Sequence, residues 1–109
     1  MLGLATFLKS QGFLVFSAYD SVYGISLAHR EKVNLIILDL GLPAGGGFYV
    51  LDNLKHSVDT NTIPVIILTA KQEKELEDKA YQMGVSAYMH KPFEPKELAA
   101  KIRELLENG

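Results

Sequence analysis

Three residues of this chain carry side chains suited to group transfer: the carboxylate of Asp39, the hydroxyl of Thr69 and the ammonium of Lys91. Each stands at the end of an apolar stretch. Val33-Asn34-Leu35-Ile36-Ile37-Leu38 leads into Asp39, Ile63-Pro64-Val65-Ile66-Ile67-Leu68 into Thr69, and Ser86-Ala87-Tyr88-Met89-His90 into Lys91. A short apolar run rich in β-branched residues and bounded by turn formers is the pattern of a strand covered on both faces. If such strands run parallel, their last residues meet at one sheet edge. A carboxylate nucleophile, a hydroxyl that bonds a phosphoryl oxygen and an ammonium that offsets its charge then form a phosphoryl-transfer set. Taken singly, each has a plainer reading: a strand-end Asp forms turns, Thr suits β structure, and a lone Lys is a solvated charge. Their shared placement is what favours chemistry.

The elements that would position them alternate along the chain. Leu4, Phe7, Leu8 and Gln11 follow a helical period that Gly12 closes, without a capping residue before Leu4. Phe13-Leu14-Val15-Phe16-Ser17-Ala18 reads as a strand ending at Tyr19-Asp20, and Ser21 to Lys32 as a helix with Val22, Ile25 and Ala28 inward and Gly24 as a weak point. After Asp39, Leu42-Pro43-Ala44-Gly45-Gly46-Gly47 reads as a flexible loop into a helix whose apolar stripe is Phe48, Val50, Leu51 and Leu54. No Gly-Lys-Ser/Thr follows those glycines and no Gly-x-Gly-x-x-Gly is present, so a nucleotide-binding loop is excluded. A fourth helix is predicted from Lys71 to Met83, with Leu76, Ala80 and Met83 inward and Gly84 as its stop. The last is predicted from Pro95 to Glu107, with Leu98, Ile102, Leu105 and Leu106 buried. Strands separated by helices imply right-handed crossovers and a parallel sheet covered on both faces, with its site beyond the carboxyl ends of the strands.

Composition narrows the class. The 109 residues suit one domain, 48% hydrophobic and 22% charged, with net charge -2. That balance gives no general attraction to nucleic acid or anionic membrane. The apolar start is interrupted by Lys9-Ser10-Gln11-Gly12 and lacks a basic leader, and no run reaches the ~20 residues of a membrane helix. The absence of cysteine suits a reducing cytosol. His29, His56 and His90 lie in different predicted elements without metal-ligand spacing.

Leu38-Asp39-Leu40-Gly41-Leu42-Pro43 with Gly47 downstream, then Leu68-Thr69-Ala70, then Ala87-Tyr88-Met89-His90-Lys91-Pro92-Phe93, follow in the order and spacing of a known family. The chain resembles the receiver domains of two-component response regulators over nearly its whole length. The resemblance implies a flavodoxin-like, doubly wound, three-layer α/β/α fold and a signalling module rather than an enzyme. It implies Asp39 as phospho-acceptor, Thr69 and Lys91 as its hydroxyl and charge partners, Tyr88 as a switch aromatic and a cis bond before Pro92. Partners would be a sensor histidine kinase or phosphotransfer protein and a downstream protein target, met through the helix Lys71–Met83, the strand around Tyr88 and the helix from Pro95. Tyr88 is expected to act as plain packing here, and His90 to tune the site edge.

The family also begins with a strand ending in an acidic pair that, with the phospho-acceptor, holds Mg2+. Here residues 1–109 open in the following helix, so the first central strand and its acidic pair are expected to be missing, and no effector domain is expected after Gly109. Magnesium should then bind weakly or not at all, phosphotransfer should be impaired, and Asp20 is the candidate substitute ligand if its strand closes onto the Val33–Asp39 strand. A phosphorylation-independent interaction module on the same fold is the alternative, and a flavodoxin-like enzyme or cofactor binder a more distant one. Unpaired ladders flanking the gap recruit other strands, so a homodimer through N-terminal elements is expected.

Overall fold

The computed structural model describes residues 2–41 and 46–108. Its centre is the run Val65–Thr69, whose five residues are all buried because each edge meets a strand and each face a helical layer. In chain order the elements are α1 (Leu2–Ser10), α2 (Ser21–Glu31), β1 (Ile36–Leu38), α3 (Gly46–Lys55), β2 (Val65–Thr69), α4 (Lys74–Gln82), β3 (Ala87–His90) and α5 (Pro95–Asn108). The sheet order is β1-β2-β3 and both pairings are parallel, with Leu38 opposite Ile67 and Thr69 opposite His90. The expected doubly wound flavodoxin-like architecture is present.

Side chains alternate along β2, and the core divides accordingly. Val65 and Ile67 join Leu38, Val50, Leu51, Leu54 and Ala80 on the side of α2, α3 and α4. Ile66 and Leu68 join Leu8, Ala87, Leu98 and Ile102 on the side of α1 and α5. Burying one such aliphatic side chain stabilises the fold by roughly 1.5 to 3 kcal/mol, so this double-sided core is the main support of the sheet.

Helix ends explain where the chain turns back toward that sheet. Gly12 (φ +95°) and Gly84 (φ +97°) both sit in the left-handed region. At α1 the Phe13 N–H reaches the Leu8 carbonyl and the Gly12 N–H that of Lys9; at α4 Val85 reaches Ala80 and Gly84 reaches Tyr81. Both are Schellman ends, which only glycine enters without a Cβ penalty. α2 opens on Asp20, whose Oδ1 accepts the Tyr23 N–H at 2.8 Å. It closes at Lys32, a non-glycine residue at φ 49°, one residue earlier than expected.

Several expectations are corrected. The segment Phe13–Ala18 lies in no ladder: among the described residues its only backbone bond is the Phe13 N–H that closes α1, and Leu14 is 84% exposed. A strand needs a neighbour, and no described residue occupies the place between this segment and β1. Val22 is exposed because the buried face of α2 runs through Leu27 and Ala28 instead, with Gly24 turned toward Ala18. Leu106 is 38% exposed, the core face of α5 ending in partly buried Leu105. α4 starts at Lys74 rather than Lys71, after Glu73 in an extended conformation. The flexible loop expected over 42–47 falls on 42–45 outside the described residues, whereas Gly46 and Gly47 are buried within α3. Gly47 is needed for close packing: a Cβ there would stand 2.7 Å from the Leu40 Cα and 2.9 Å from the Asp39 carbonyl oxygen. Among the described residues no helix is long and apolar enough to cross a membrane.

Candidate functional site

Parallel pairing places Asp39 just past β1, Thr69 as the last residue of β2 and Lys91 just past β3. The three therefore share the carboxyl edge of the sheet, where the strands stop and backbone gives way to loops. The Lys91 N–H bonds the Thr69 carbonyl at 2.9 Å, extending the β2–β3 ladder by one step and fixing the base of the lysine side chain. Its Nζ donates to Asp39 Oδ2 at 2.8 Å.

Asp39 is held from a second direction. Its Oδ1 accepts the Gly41 N–H at 2.7 Å, a turn closed by the side chain two residues earlier. A Cβ on residue 41 would stand 3.1 Å from that oxygen, so glycine keeps the approach open. Partial burial pushes the Asp39 carboxyl up, but the Lys91 ammonium, the Gly41 N–H and the Thr69 hydroxyl together hold it below the usual carboxylate value. Asp39 is therefore ionised at neutral pH. Its side chain is 39% exposed and that of Lys91 28%, so the pair can meet an incoming group. Thr69 is buried, and its Oγ1 also accepts the Lys71 N–H at 3.2 Å.

Tyr88 lies partly buried on β3 against the α2–α4 side of the core, its ring edge-on to exposed His90 at 5.5 Å. Its Oη is buried without a hydrogen-bond partner among the described residues, and burial first, then the charges of Glu77 and Glu73, push its pKa up. The Lys91–Pro92 peptide is cis. Asp20 is committed to capping α2. Among the described residues no group of three or more His, Asp or Glu side chains converges to hold a metal ion, and both Asp39 oxygens are engaged by donors.

Sequence reasoning missed the Gly41 donor and the packing role of Gly47. Asp-x-Gly after an apolar run signals the first; nothing local signals the second, which depends on α3 crossing the end of β1.

The chain matches the model of the response regulator receiver domain over residues 1–103, and it belongs to that family. It is 38% identical over 100 residues to the probable transcriptional regulator ycf29 of Pyropia yezoensis, a match covering 92% of this chain and 45% of that protein. The chain thus spans about half the length of the curated relatives it matches. Among solved structures, a response regulator receiver domain protein of Methanospirillum hungatei JF-1 aligns with a TM-score of 0.89 at 25% identity, over 97% of this chain and 83% of that one. The receiver domain of sensor histidine kinase PA1611 from Pseudomonas aeruginosa PAO1, whose structure has a magnesium ion coordinated in the active site cleft, shares the fold with a TM-score of 0.87 at 24% identity, covering 97% and 87%. Receiver domains are signalling modules of two-component systems, a family of phosphoryl acceptors.

Proposed function

We propose that this domain accepts a phosphoryl group on Asp39 from a histidine kinase or phosphotransfer protein, slowly, and relays the change to a protein target. The supporting observation is the 2.8 Å Asp39–Lys91 pair beside the buried Thr69 hydroxyl at the carboxyl ends of the strands. An ionised Asp39 oxygen attacks phosphorus, an O–P bond forms as the donor N–P bond breaks, and the electron pair leaves on the imidazole nitrogen. Lys91 offsets charge on the transferred group and Thr69 donates to one of its oxygens. Each Asp39 oxygen accepts one hydrogen bond and keeps a further lone pair with which it can attack. Among the described residues no group of three or more acidic or histidine side chains converges to hold a metal ion that would offset the charge developing during transfer, which supports impaired rather than fast chemistry. Tyr88 serves as packing at the sheet edge. The lack of cysteine fits action in the cytosol.

The engaged state of both Asp39 oxygens also favours a second reading, an interaction module that works without phosphorylation. Intact-protein mass spectrometry after incubation with acetyl phosphate and magnesium separates the two. Slow incorporation lost in Asp39→Ala is the expected result. No incorporation at any time would leave the interaction module, and rapid incorporation would remove the impairment.

Self-association completes the proposal. Leu14 is 84% exposed and Tyr19 and Val22 75% each, an apolar N-terminal surface of the kind that marks contact sites. Light scattering across micromolar concentrations should show a dimer that Val22→Lys weakens.

A further inference from the structure

The end of α2 stands against the turns that join α3 to β2. There His29 Nδ1 and Asp59 Oδ2 lie 2.8 Å apart, although 30 positions separate them in the chain. Among the described residues this is the only hydrogen bond that joins α2 to another element; the other side-chain bonds of α2 are its cap at Asp20 and the Arg30–Glu31 pair. The turns themselves are braced from beneath. Thr60 Oγ1 donates to the Leu54 carbonyl at 2.7 Å, Ser57 Oγ to the Asn53 carbonyl at 3.0 Å and Lys55 Nζ to the Asn61 carbonyl at 3.3 Å. Asp59 is thus presented from a fixed platform, and α2 is tied to it by one titratable contact.

Both partners are shifted in the direction of an ion pair. Hydrogen bonding to Asp59 pushes the His29 pKa above its ordinary 6.5 against the opposing effect of burial, and the Asp59 charge and the Asn53 side chain add to the rise. Hydrogen bonding to His29 holds the Asp59 carboxyl below its ordinary 3.8. The Asn53 Oδ1 is buried with no partner in bonding distance among the described residues, so it is an acceptor that a second ring N–H can serve. The imidazolium has two N–H donors and the neutral ring has one. Of the surrounding charges, Lys32 at the end of α2 acts on Asp59, Arg30 is bonded to Glu31 at 3.0 Å, and on α3 His56 meets Asp52 of its own helix at 3.2 Å.

We infer that the His29–Asp59 pair is a proton-operated latch, which fastens the end of α2 to the turns entering β2 in mildly acidic solution and slackens as the solution becomes alkaline. A raised histidine pKa places its full contribution below 6.5 and removes it as pH rises through the higher folded value. A depressed Asp59 pKa keeps its share present above 3.8 and removes it as pH falls through the lower folded value. The latch is therefore tightest between 3.8 and 6.5. What it holds is the exit of α2. Lys32 leaves the helix at φ 49°, a conformation that a residue with a Cβ keeps only where its surroundings hold it, and the chain then runs into β1. The latch so gives proton concentration a hold on β1 from its amino end, opposite the edge that carries Asp39.

Nitrogen-15 NMR of the full chain follows the His29 ring, and amide exchange at about pH 6 and about pH 8.5, corrected for its intrinsic pH dependence, follows the helix end across the range in which histidine titrates. Expected is a His29 midpoint above 6.5. Protection of the amides of residues 29–32 should fall about two- to fivefold at the higher pH, the size of an exposed ion pair, while the β2 amides hold theirs. Asp59→Asn should lower the His29 midpoint and make that protection independent of pH; the Asp59 side chain is 63% exposed, so the variant keeps the fold. His56→Gln, which removes the other histidine of the region, should change neither reading. The inference is overturned if His29 titrates at or below 6.5, if the helix end keeps its protection at the higher pH, if the loss persists in Asp59→Asn or vanishes in His56→Gln, or if the β2 amides change by the same factor.

Discussion

β2 and the Phe13–Ala18 segment are both apolar, yet only β2 lies in a ladder. Val65, Ile66, Ile67 and Leu68 are at most 2% exposed, whereas Leu14 is 84% and Phe16 41% exposed. Both segments follow a helix and a turn, so local propensity does not separate them. What separates them is company. β2 has a parallel neighbour on each side, β1 through Ile36–Leu38 and β3 through Ala87–His90. Among the described residues the N-terminal segment has helices nearby and no partner for its ladder. A strand is therefore a property of its neighbours as much as of its residues, and the firm half of this domain is the half where neighbours exist.

The contrast is sharpest in core truncation. Ile67→Ala should cost about 2 to 5 kcal/mol of unfolding free energy, since Ile67 is fully buried and the cavity cannot collapse between two layers. Leu14→Ala should stay within about 0.5 kcal/mol. Urea denaturation of both variants tests the pair, and equal losses would mean that the N-terminal segment is packed as firmly as the sheet centre.

Next in size is the junction of α3 with β1. Alanine is a better helix former than glycine by roughly 0.8 to 1 kcal/mol, but at residue 47 its Cβ would meet backbone atoms of Leu40 and Asp39 that cannot step aside. Gly47→Ala should thus destabilise by about 1 to 3 kcal/mol and shift the Asp39 carboxyl resonance. A stabilised variant would show that α3 rides loosely on β1.

Acid should act at the site before it acts on the core. The folded Asp39 pKa is depressed, so its contribution is present above the ordinary carboxylate value of 3.8 and is lost as pH falls through the lower folded value. Carbon-13 NMR should find Asp39 titrating below that value, and Lys91→Met should move it up while the β2 amides stay protected. An unchanged midpoint in that variant would mean that Lys91 does not hold the carboxylate.

The smallest effect is expected at Tyr88. Its buried Oη has no partner among the described residues, so Tyr88→Phe removes an uncompensated polar group and should leave stability unchanged or raise it by up to about 1 kcal/mol. A loss larger than that in thermal unfolding would reveal a bond that the hydroxyl makes.

The local pattern of residues determined most of the parts. Apolar runs ending in Asp39, Thr69 and Lys91 marked the three paired strands, the glycines at 12 and 84 marked two helix ends, and parallel order brought the three site residues to one edge. Those features depend on period and on residue type, which are written locally. Other features were settled only by tertiary structure, because they depend on what arrives from elsewhere in the chain. Leu106 lost its place in the core and Val22 its inward face because helix rotation is set by the partner surface. Gly47 is fixed by the closeness of Leu40, and the Asp39 charge by a lysine that lies 52 residues away in the chain. Above all, Phe13–Ala18 has the residues of a strand and forms no ladder with the described residues, since hydrogen bonds across a sheet need a second chain segment that no stretch of residues can supply to itself.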